Sequence, residues 1–232
     1  MTAPLSQAWA ATIFRLTLVL LLTTVTPSLA GVAPLRTGSI PCTSTPKQLT
    51  KGKFLVASRD LLDPNFHETV VLLADYGTGG ASGLVINRPS RTTLADLLPG
   101  EESLRPRNDT IYIGGPVGQN RLILLIRSPS KPTGSHALFD DVYISGSAST
   151  LRGLTDERED TVFRAYMGYT GWGPGQLESE VERGDWRIVP AEAAAIFEEP
   201  SKSIWRKLIE RSSGEWASLD GAGGGAGLLR SF

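Results

Sequence analysis

Short apolar segments separated by Gly- and Pro-rich stretches make up most of the chain after about residue 50. The run TVVLLA, Thr69–Ala74, has almost no polar position and therefore no polar face, which is typical of a central strand. A Gly-rich turn, YGTGGASG, leads from it into LVIN, so these two segments are predicted to form a β-hairpin. The pattern predicts at least seven short strands, drawn from Phe54–Ser58, Thr69–Ala74, Leu84–Asn87, Thr110–Ile113, Leu122–Ile126, Val142–Ser145, Thr161–Tyr169 and Trp186–Val189.

Other segments have helical spacing or helix-start residues. Leu177 and Val181 are four residues apart in Gln176–Arg183, so they face one side of a helix. A threonine pair precedes LADLLP as a candidate N-cap, Pro190 marks the start of a later helix, and Ser201 or Ser203 caps a final helix that runs through Arg211. With the strands, these segments predict a single α+β domain with at least four short helices.

The first thirty residues have the pattern of a secretory signal. Arg15 precedes the apolar run Leu16–Leu22, and small residues lead up to Ala30, as signal peptidase requires. A membrane-spanning helix needs about 20 apolar residues, and this run is shorter. We predict a signal peptide over 1–30 and an exported protein, periplasmic or secreted. The alternatives are an uncleaved anchor, an organelle-targeting segment, or a cytoplasmic protein.

The remainder is predicted to consist of a flexible leader at 31–51, one domain at 52–218 and a Gly-rich flexible tail at 219–232. Cys42 is the only cysteine, so an intramolecular disulfide and a thiolate metal cluster are both excluded. Hydrophobic residues make up 41% of the chain, and its formal net charge is −1. This composition is typical of a globular domain, and it lacks the basic surplus of a nucleic-acid partner.

The stretch GYTGWGPGQLE, Gly168–Glu178, has the most constrained backbone in the sequence. Gly171, Gly173 and Gly175 permit positive φ or close backbone approach, and Pro174 fixes its own φ. The helix predicted to follow leaves its first N–H groups without intrahelical partners, which suits an anion. The structural alternative is that the glycines only let the strand and the helix pack closely.

Three further loops, DPN, NRP and GPV, lie at predicted strand ends. If they share one rim of the sheet with the central turn, Arg88 supplies a bidentate donor to a carboxylate or phosphate ester. The alternative is that the amide side chains satisfy their own turns and that Arg88 pairs with a nearby acid. The predicted ligand-binding residues are Asn65, Asn87, Arg88, Gly115, Pro116, Gly173, Gly175 and Gln176.

Catalytic motifs are absent from the sequence: it contains no GxSxG, no HExxH and no GxxxxGK[ST]. It has only two histidines, so we predict no metal site and no cofactor. A hydrolase stays open as an alternative, with a site assembled by the fold from Asp63, His67, Arg88 and Gln176. Such a site requires His67 to lie within about 3 Å of a carboxylate.

Several blocks, in this order, resemble the YqgE/AlgH family of bacterial proteins: LVASRDLLDPNFHETVVLLADY, ASGLVINRP, IYIGGPV and MGYTGWGPGQLESEVERGDW. The resemblance covers about Lys53–Glu215. It implies an α+β fold with a compact, barrel-like mixed β-sheet flanked by short helices. It implies no enzyme activity, because the family is largely uncharacterised, and a transcription-linked regulatory role is suggested for one branch. Typical members look cytoplasmic, so the signal-like segment sets this chain apart.

The preferred interpretation is a non-catalytic binding or regulatory module. Its Gly-rich rim would hold a small anionic ligand, a peptide or a protein partner. Neither a nucleic-acid partner nor a stable membrane span is expected. The hydrolase is the alternative interpretation, and a transcription-linked regulator is the third.

Overall fold

The computed structural model describes residues 44–101, 109–156 and 161–221, with side chains in the last helix described to residue 212. The predicted signal peptide, most of the predicted leader and most of the predicted tail lie outside the described residues. Their boundaries therefore stay predictions.

The described part of the chain contains ten strands and five α-helices. The strands are β1 (Lys53–Ala57), β2 (Val70–Gly77), β3 (Gly80–Val85), β4 (Pro89–Thr93), β5 (Thr110–Ile113), β6 (Val117–Arg127), β7 (His136–Phe139), β8 (Val142–Ser145), β9 (Val162–Trp172) and β10 (Trp186–Pro190). The helices are α1 (Leu94–Leu97), α2 (Ala148–Asp156), α3 (Gln176–Arg183), α4 (Ala193–Phe197) and α5 (Ser201–Gly221). Within the same residues, no helix is both long enough and apolar enough for a membrane span.

The strands form one mixed sheet in the order β10-β1-β2-β3-β9-β6-β8-β7. Most neighbours are antiparallel, but β5 pairs in parallel with β9 and antiparallel with β4. β9 has three partners, because it pairs with β6 over most of its length, with β5 in its middle and with β3 near its end. It is therefore the strand on which the topology depends.

Both faces of the sheet are apolar, which explains the continuous apolar runs in β1 and β2. α4 and α5 cover one face with residues that include Ile196 and Ile204. Leu177 and Val181 of α3 pack on another part of the core, as their spacing predicted. α2 packs Leu151 against β5, β6 and β9.

The sheet curls so that strand β7 at one edge approaches the start of β1, which is next to the other edge. A Cβ placed on Gly52 would lie 3.1 Å from Phe139 Cβ. Lys51 Nζ donates a hydrogen bond to Ala137 O at 2.9 Å. This curled mixed sheet with short flanking helices confirms the α+β, barrel-like fold that the resemblance implies.

Two backbone segments cross closely where the β5–β6 connection meets β9. Gly168 has a φ of 73°, and a Cβ on it would lie 2.6 Å from Gly115 O. A Cβ on Gly114 would lie 2.3 Å from Gly168 O. Only glycine fits at these two positions. By contrast, Gly171 lies inside β9, where a Cβ would meet nothing closer than 3.7 Å.

Several boundaries differ from the sequence prediction. β4 was not predicted because its sequence, PSRTT, is polar and pairs only with β5. β7 was not predicted because it is a four-residue edge strand. Pro190 ends β10 rather than beginning a helix, and α4 starts at Ala193. The last helix continues to Gly221, past its predicted end at Arg211.

We expect Gly114→Ala to destabilise the fold by about 1–3 kcal/mol, as extra atoms in a packed interior do. The reason is the carbonyl oxygen of Gly168, 2.3 Å from the position of the new Cβ. Gly153→Ala is the control, because its Cβ meets nothing within 4 Å and α2 gains helix propensity. Urea unfolding measures both variants. Equal stability of the two would show that the crossing tolerates a side chain.

Candidate functional site

The loop between β1 and β2 is folded around Asp63. Its carboxylate Oδ1 accepts a hydrogen bond from Asn65 N at 2.8 Å, and its carbonyl oxygen accepts from Phe66 N and His67 N. The turn predicted at DPN is therefore present. Asp63 acts as the turn acceptor, and the Asn65 side chain is exposed.

Asn87 fastens this loop to the end of β3. Its Oδ1 accepts from Val70 N at 2.9 Å, and its Nδ2 donates to Glu68 O at 2.9 Å. Glu68 has a φ of 54°, a left-handed conformation that few non-glycine residues adopt. The oxygen and the nitrogen of the Asn87 amide thus both bind backbone atoms, one at Val70 and one at Glu68. These two hydrogen bonds fix the backbone of Glu68 in its strained conformation.

Arg88 connects the same loop to β5. Its Nη2 donates to Pro64 O at 3.1 Å and to His67 O at 3.2 Å, while its own carbonyl accepts from Ile113 N. Burial lowers the pKa of Arg88, and the nearby Asp63 charge acts in the opposite direction. The guanidinium remains charged, because arginine does not lose its proton in proteins.

The Gly114–Pro116 segment completes this group. Gly114 O accepts from Val85 N at 2.8 Å, which places the segment beside the end of β3. Gly115 is buried against β9, and Pro116 is exposed. The structure therefore brings together the loop with Asn65, the pair Asn87–Arg88 and the segment with Gly115 and Pro116. We call these three parts the rim.

The central turn lies at the other end of β3. Trp172, which precedes it, pairs with Ala81 beside the β2–β3 hairpin turn. Gly173 N donates to Gln176 Oε1 at 3.1 Å, and Gly175 is the N-cap of α3 with a φ of 74°. The eight predicted ligand residues thus divide into two groups. Gly173, Gly175 and Gln176 stand apart from the rim, and their role in binding stays a prediction.

A carboxylate between two tryptophans explains the spacing of Trp172, Glu180 and Trp186 in and after the central block. Glu180 Oε2 accepts from Trp172 Nε1 at 2.8 Å and from Trp186 Nε1 at 2.9 Å, while its Oε1 accepts from Gln176 Nε2. Phe66 of the rim packs on both indoles, with ring centroids 6.2 and 5.6 Å away. Glu180 has no part in the site predicted from the sequence. The two flanking tryptophans were the available signal.

Tyr76 attaches the β2–β3 hairpin to α3. Its hydroxyl donates to Glu178 Oε1 at 2.7 Å. This hydrogen bond, with a smaller effect of burial, raises the pKa of Tyr76 above its usual value. Glu178 lies in the first turn of α3 and also accepts a hydrogen bond from a specific side chain. In accepting from side-chain donors it is like Glu180.

In the described residues, His67 makes no hydrogen bond to a carboxylate. His67 Nδ1 lies 3.3 Å from Leu61 O, and its Nε2 is 3.9 Å from Glu68 Oε1, beyond a hydrogen bond. The His67 side chain is 52% exposed. Across residues 44–101, 109–156 and 161–212, no three His, Cys, Asp or Glu side chains are grouped to hold a metal ion.

Two apolar side chains are exposed on the rim. Leu62 is 84% exposed, two residues before the Pro64 carbonyl that Arg88 holds. Ile113 is 46% exposed, and its N–H donates to the carbonyl oxygen of Arg88. Arg88 therefore fixes the backbone on which both apolar side chains stand.

We expect Glu180→Ala to lower the free energy of unfolding by about 2–4 kcal/mol, because two largely buried indole N–H groups lose a charged acceptor. Glu182→Ala is the matched control, since Glu182 is an exposed acid of the same helix. Chemical denaturation followed by tryptophan fluorescence measures both variants. A loss no larger than that of the control would contradict a structural role for the carboxylate.

Comparison with known proteins identifies the family. Residues 54–217 match the family described as AlgH-like. A UPF0301 protein of Anaeromyxobacter dehalogenans is 37% identical over 183 residues, covering 75% of this chain and 93% of that protein. A UPF0301 protein of Mycobacteroides abscessus is 32% identical over 171 residues, covering 71% and 80%.

Solved structures have the same fold. The AlgH protein of Pseudomonas aeruginosa has a TM-score of 0.57 and 29% identity, covering 84% of this chain and all of that one (100%). A crystal structure from Corynebacterium diphtheriae has a TM-score of 0.60 at 21% identity, covering 69% and 86%. The resemblance seen in the sequence blocks is confirmed, and the chain belongs to the AlgH-like family.

Proposed function

We propose that this protein is a non-catalytic binding module whose rim holds a peptide segment of a partner protein. The observation that carries the proposal is the exposure of Leu62 and Ile113 on backbone fixed by Arg88. Exposed apolar side chains beside a cation suit a segment that combines an apolar residue with an acidic one.

The rigidity of the rim supports this function. Asn87 and Arg88 hold the loop through hydrogen bonds to backbone atoms, and Phe66 anchors it on two tryptophans. A surface held in this way has little conformational entropy to lose when a partner binds. The polar residues would therefore act mainly as supports, and the apolar side chains would make the contact.

Arg88 has a second part in the proposal. Its Nη2 is bonded to two carbonyl groups, whereas no partner for its other guanidinium N–H groups is found in the described part of the chain. Those donors are assigned to a carboxylate or a carbonyl oxygen of the bound segment. With this assignment, a peptide ligand also satisfies the preference for an anionic group that the sequence predicts for the rim.

We expect a random-peptide display library to yield ligands for the full chain that pair apolar with acidic residues. The double variant Leu62→Ser, Ile113→Ser should bind them about tenfold or more weakly, because central apolar contacts dominate such interfaces. Leu97→Ser is the control, as Leu97 is an exposed leucine of α1, outside the rim. Fluorescence polarisation measures the affinities.

Two results would oppose this function. Peptides that bind the double variant as well as the wild type would place recognition elsewhere. Turnover of an ester or phosphoester substrate that disappears in His67→Ala would favour the hydrolase instead.

We also propose that this module works outside the cytoplasm, and the signal-like pattern of residues 1–30 supports that location. In the native host we expect the mature chain to begin at Gly31, as a cut after Ala30 requires. Intact-mass analysis of the protein purified from separated cell fractions measures the N-terminus. A full-length chain found only in the cytoplasmic fraction would overturn the proposed export.

A further inference from the structure

Two neighbouring side chains of β9 carry buried polar atoms without hydrogen bonds. Arg164 and Tyr166 are two residues apart and so lie on one face of the strand, the face that α4 and α5 cover. Tyr166 is fully buried. Neither its hydroxyl nor Arg164 Nη1 has a hydrogen-bond partner of good geometry among the residues described, and the two groups lie close to each other. Burial raises the pKa of Tyr166, so at neutral pH the hydroxyl keeps a proton to donate.

Arg164 also lacks a counter-ion in the described structure. The acids at the α4–α5 junction pair with other residues: Glu198 binds Arg127, and Glu199 binds Lys207. Arg164 Nη2 reaches only a carbonyl oxygen of α4, at 3.5 Å. A half-buried cation that contacts only a carbonyl oxygen and an aromatic face is costly, because it has lost part of its hydration without gaining an opposite charge.

The other groups near Arg164 are aromatic rings and hydroxyl groups rather than acids. Its Cζ lies 5.0 Å from the ring centroid of Tyr112, and the Tyr112 and Tyr166 rings are 5.4 Å apart. The Tyr112 hydroxyl accepts from Ser201 Oγ at 3.1 Å, which leaves its own proton for another acceptor. Ser201 is the first residue of α5, where the helix dipole adds partial positive charge.

We propose that a small oxyanion, a carboxylate or a phosphate group, binds between Arg164 and Tyr166 beneath the α4–α5 junction. Arg164 Nη1 and the Tyr166 hydroxyl donate to its oxygens, and the Tyr112 hydroxyl is placed to add a third donor. One negative charge thus satisfies both unpartnered atoms and supplies the counter-ion of Arg164. Tyr112 and Ile113 point to opposite faces of β5, so this site and the rim are independent proposals.

A surface depression lies two residues from Arg164 along β9. Val162 lies two residues before Arg164 on the same face of β9 and is 50% exposed. It lines a depression of about 400 Å³ together with Arg127, Ser128, Pro129 and Asp141. Because Tyr166 is fully buried, only a small ion or the anionic end of a larger molecule fits between it and Arg164.

The test titrates the full chain with inorganic phosphate and, separately, with acetate, each at matched ionic strength. The readouts are the Tm and the NMR signal of the Arg164 side chain. We expect at least one anion to raise the Tm and to shift that signal. Comparison of the two arms shows whether the site prefers phosphate or carboxylate. Arg164→Gln and Tyr166→Phe should weaken binding by about tenfold or more, since each removes a donor to a charged acceptor.

Two variants serve as controls. Arg206→Gln removes an exposed arginine of α5, and Tyr143→Phe removes a hydroxyl on the opposite face of the sheet. Both should bind like the wild type. Tyr166→Phe keeps the buried ring and loses an unpartnered hydroxyl, so it should stay folded and keep the test decisive even where Arg164→Gln unfolds.

Three outcomes would overturn the proposal. The first is a wild-type chain in which neither anion moves the Arg164 signal more than that of Arg206. The second is a Tyr166→Phe variant that binds with wild-type affinity. The third is a crystal structure grown in phosphate that shows only ordered water between Arg164 and Tyr166.

Discussion

The architecture depends on one strand, β9, having three partners. It pairs with β6 on one side, and on the other side β5 and β3 follow one another along its length. This arrangement requires the β5–β6 connection to cross against β9, where Gly114 and Gly168 leave no room for a Cβ. The rim, the central turn and the pair Arg164–Tyr166 are all placed by residues of β9 or by strands bonded to it.

Around this strand, polar side chains serve mainly to hold backbone. Asn87 bridges Val70 and Glu68, and Arg88 joins two carbonyl groups of the β1–β2 loop. Glu180 has a similar supporting role, but it accepts hydrogen bonds from two indole N–H groups instead of binding backbone atoms. Because a buried donor or acceptor without a partner is costly, these contacts fix loops that have little apolar surface of their own. The residues that look most like a binding site in the sequence are thus largely supports.

The sequence predicted the fold well where one principle decided the outcome. The continuous apolar run in β2 predicted a strand, because a strand buried on both faces has no polar positions. Leu177 and Val181 predicted a helix, because apolar residues at i and i+4 form one buried stripe. The polar strand β4 was missed, because its neighbour β5 lies far along the chain. The sequence placed all eight predicted ligand residues on one rim, whereas the structure divides them between two places. Hairpin geometry places the Gly173–Gln176 turn at the opposite end of β3 from Arg88, and no local pattern reports that distance.

The two arginines Arg88 and Arg164 show how supporting and recognition roles differ physically. Arg88 donates to two carbonyl groups; burial lowers its pKa, and the nearby Asp63 charge acts in the opposite direction. Part of its hydrogen-bonding capacity is therefore used within the fold. Arg164 has one long contact to a carbonyl, an aromatic face and an unpartnered Nη1. Of these two half-buried cations, Arg164 has the weaker compensation within the fold, and this is the electrostatic reason for proposing an anion beside it.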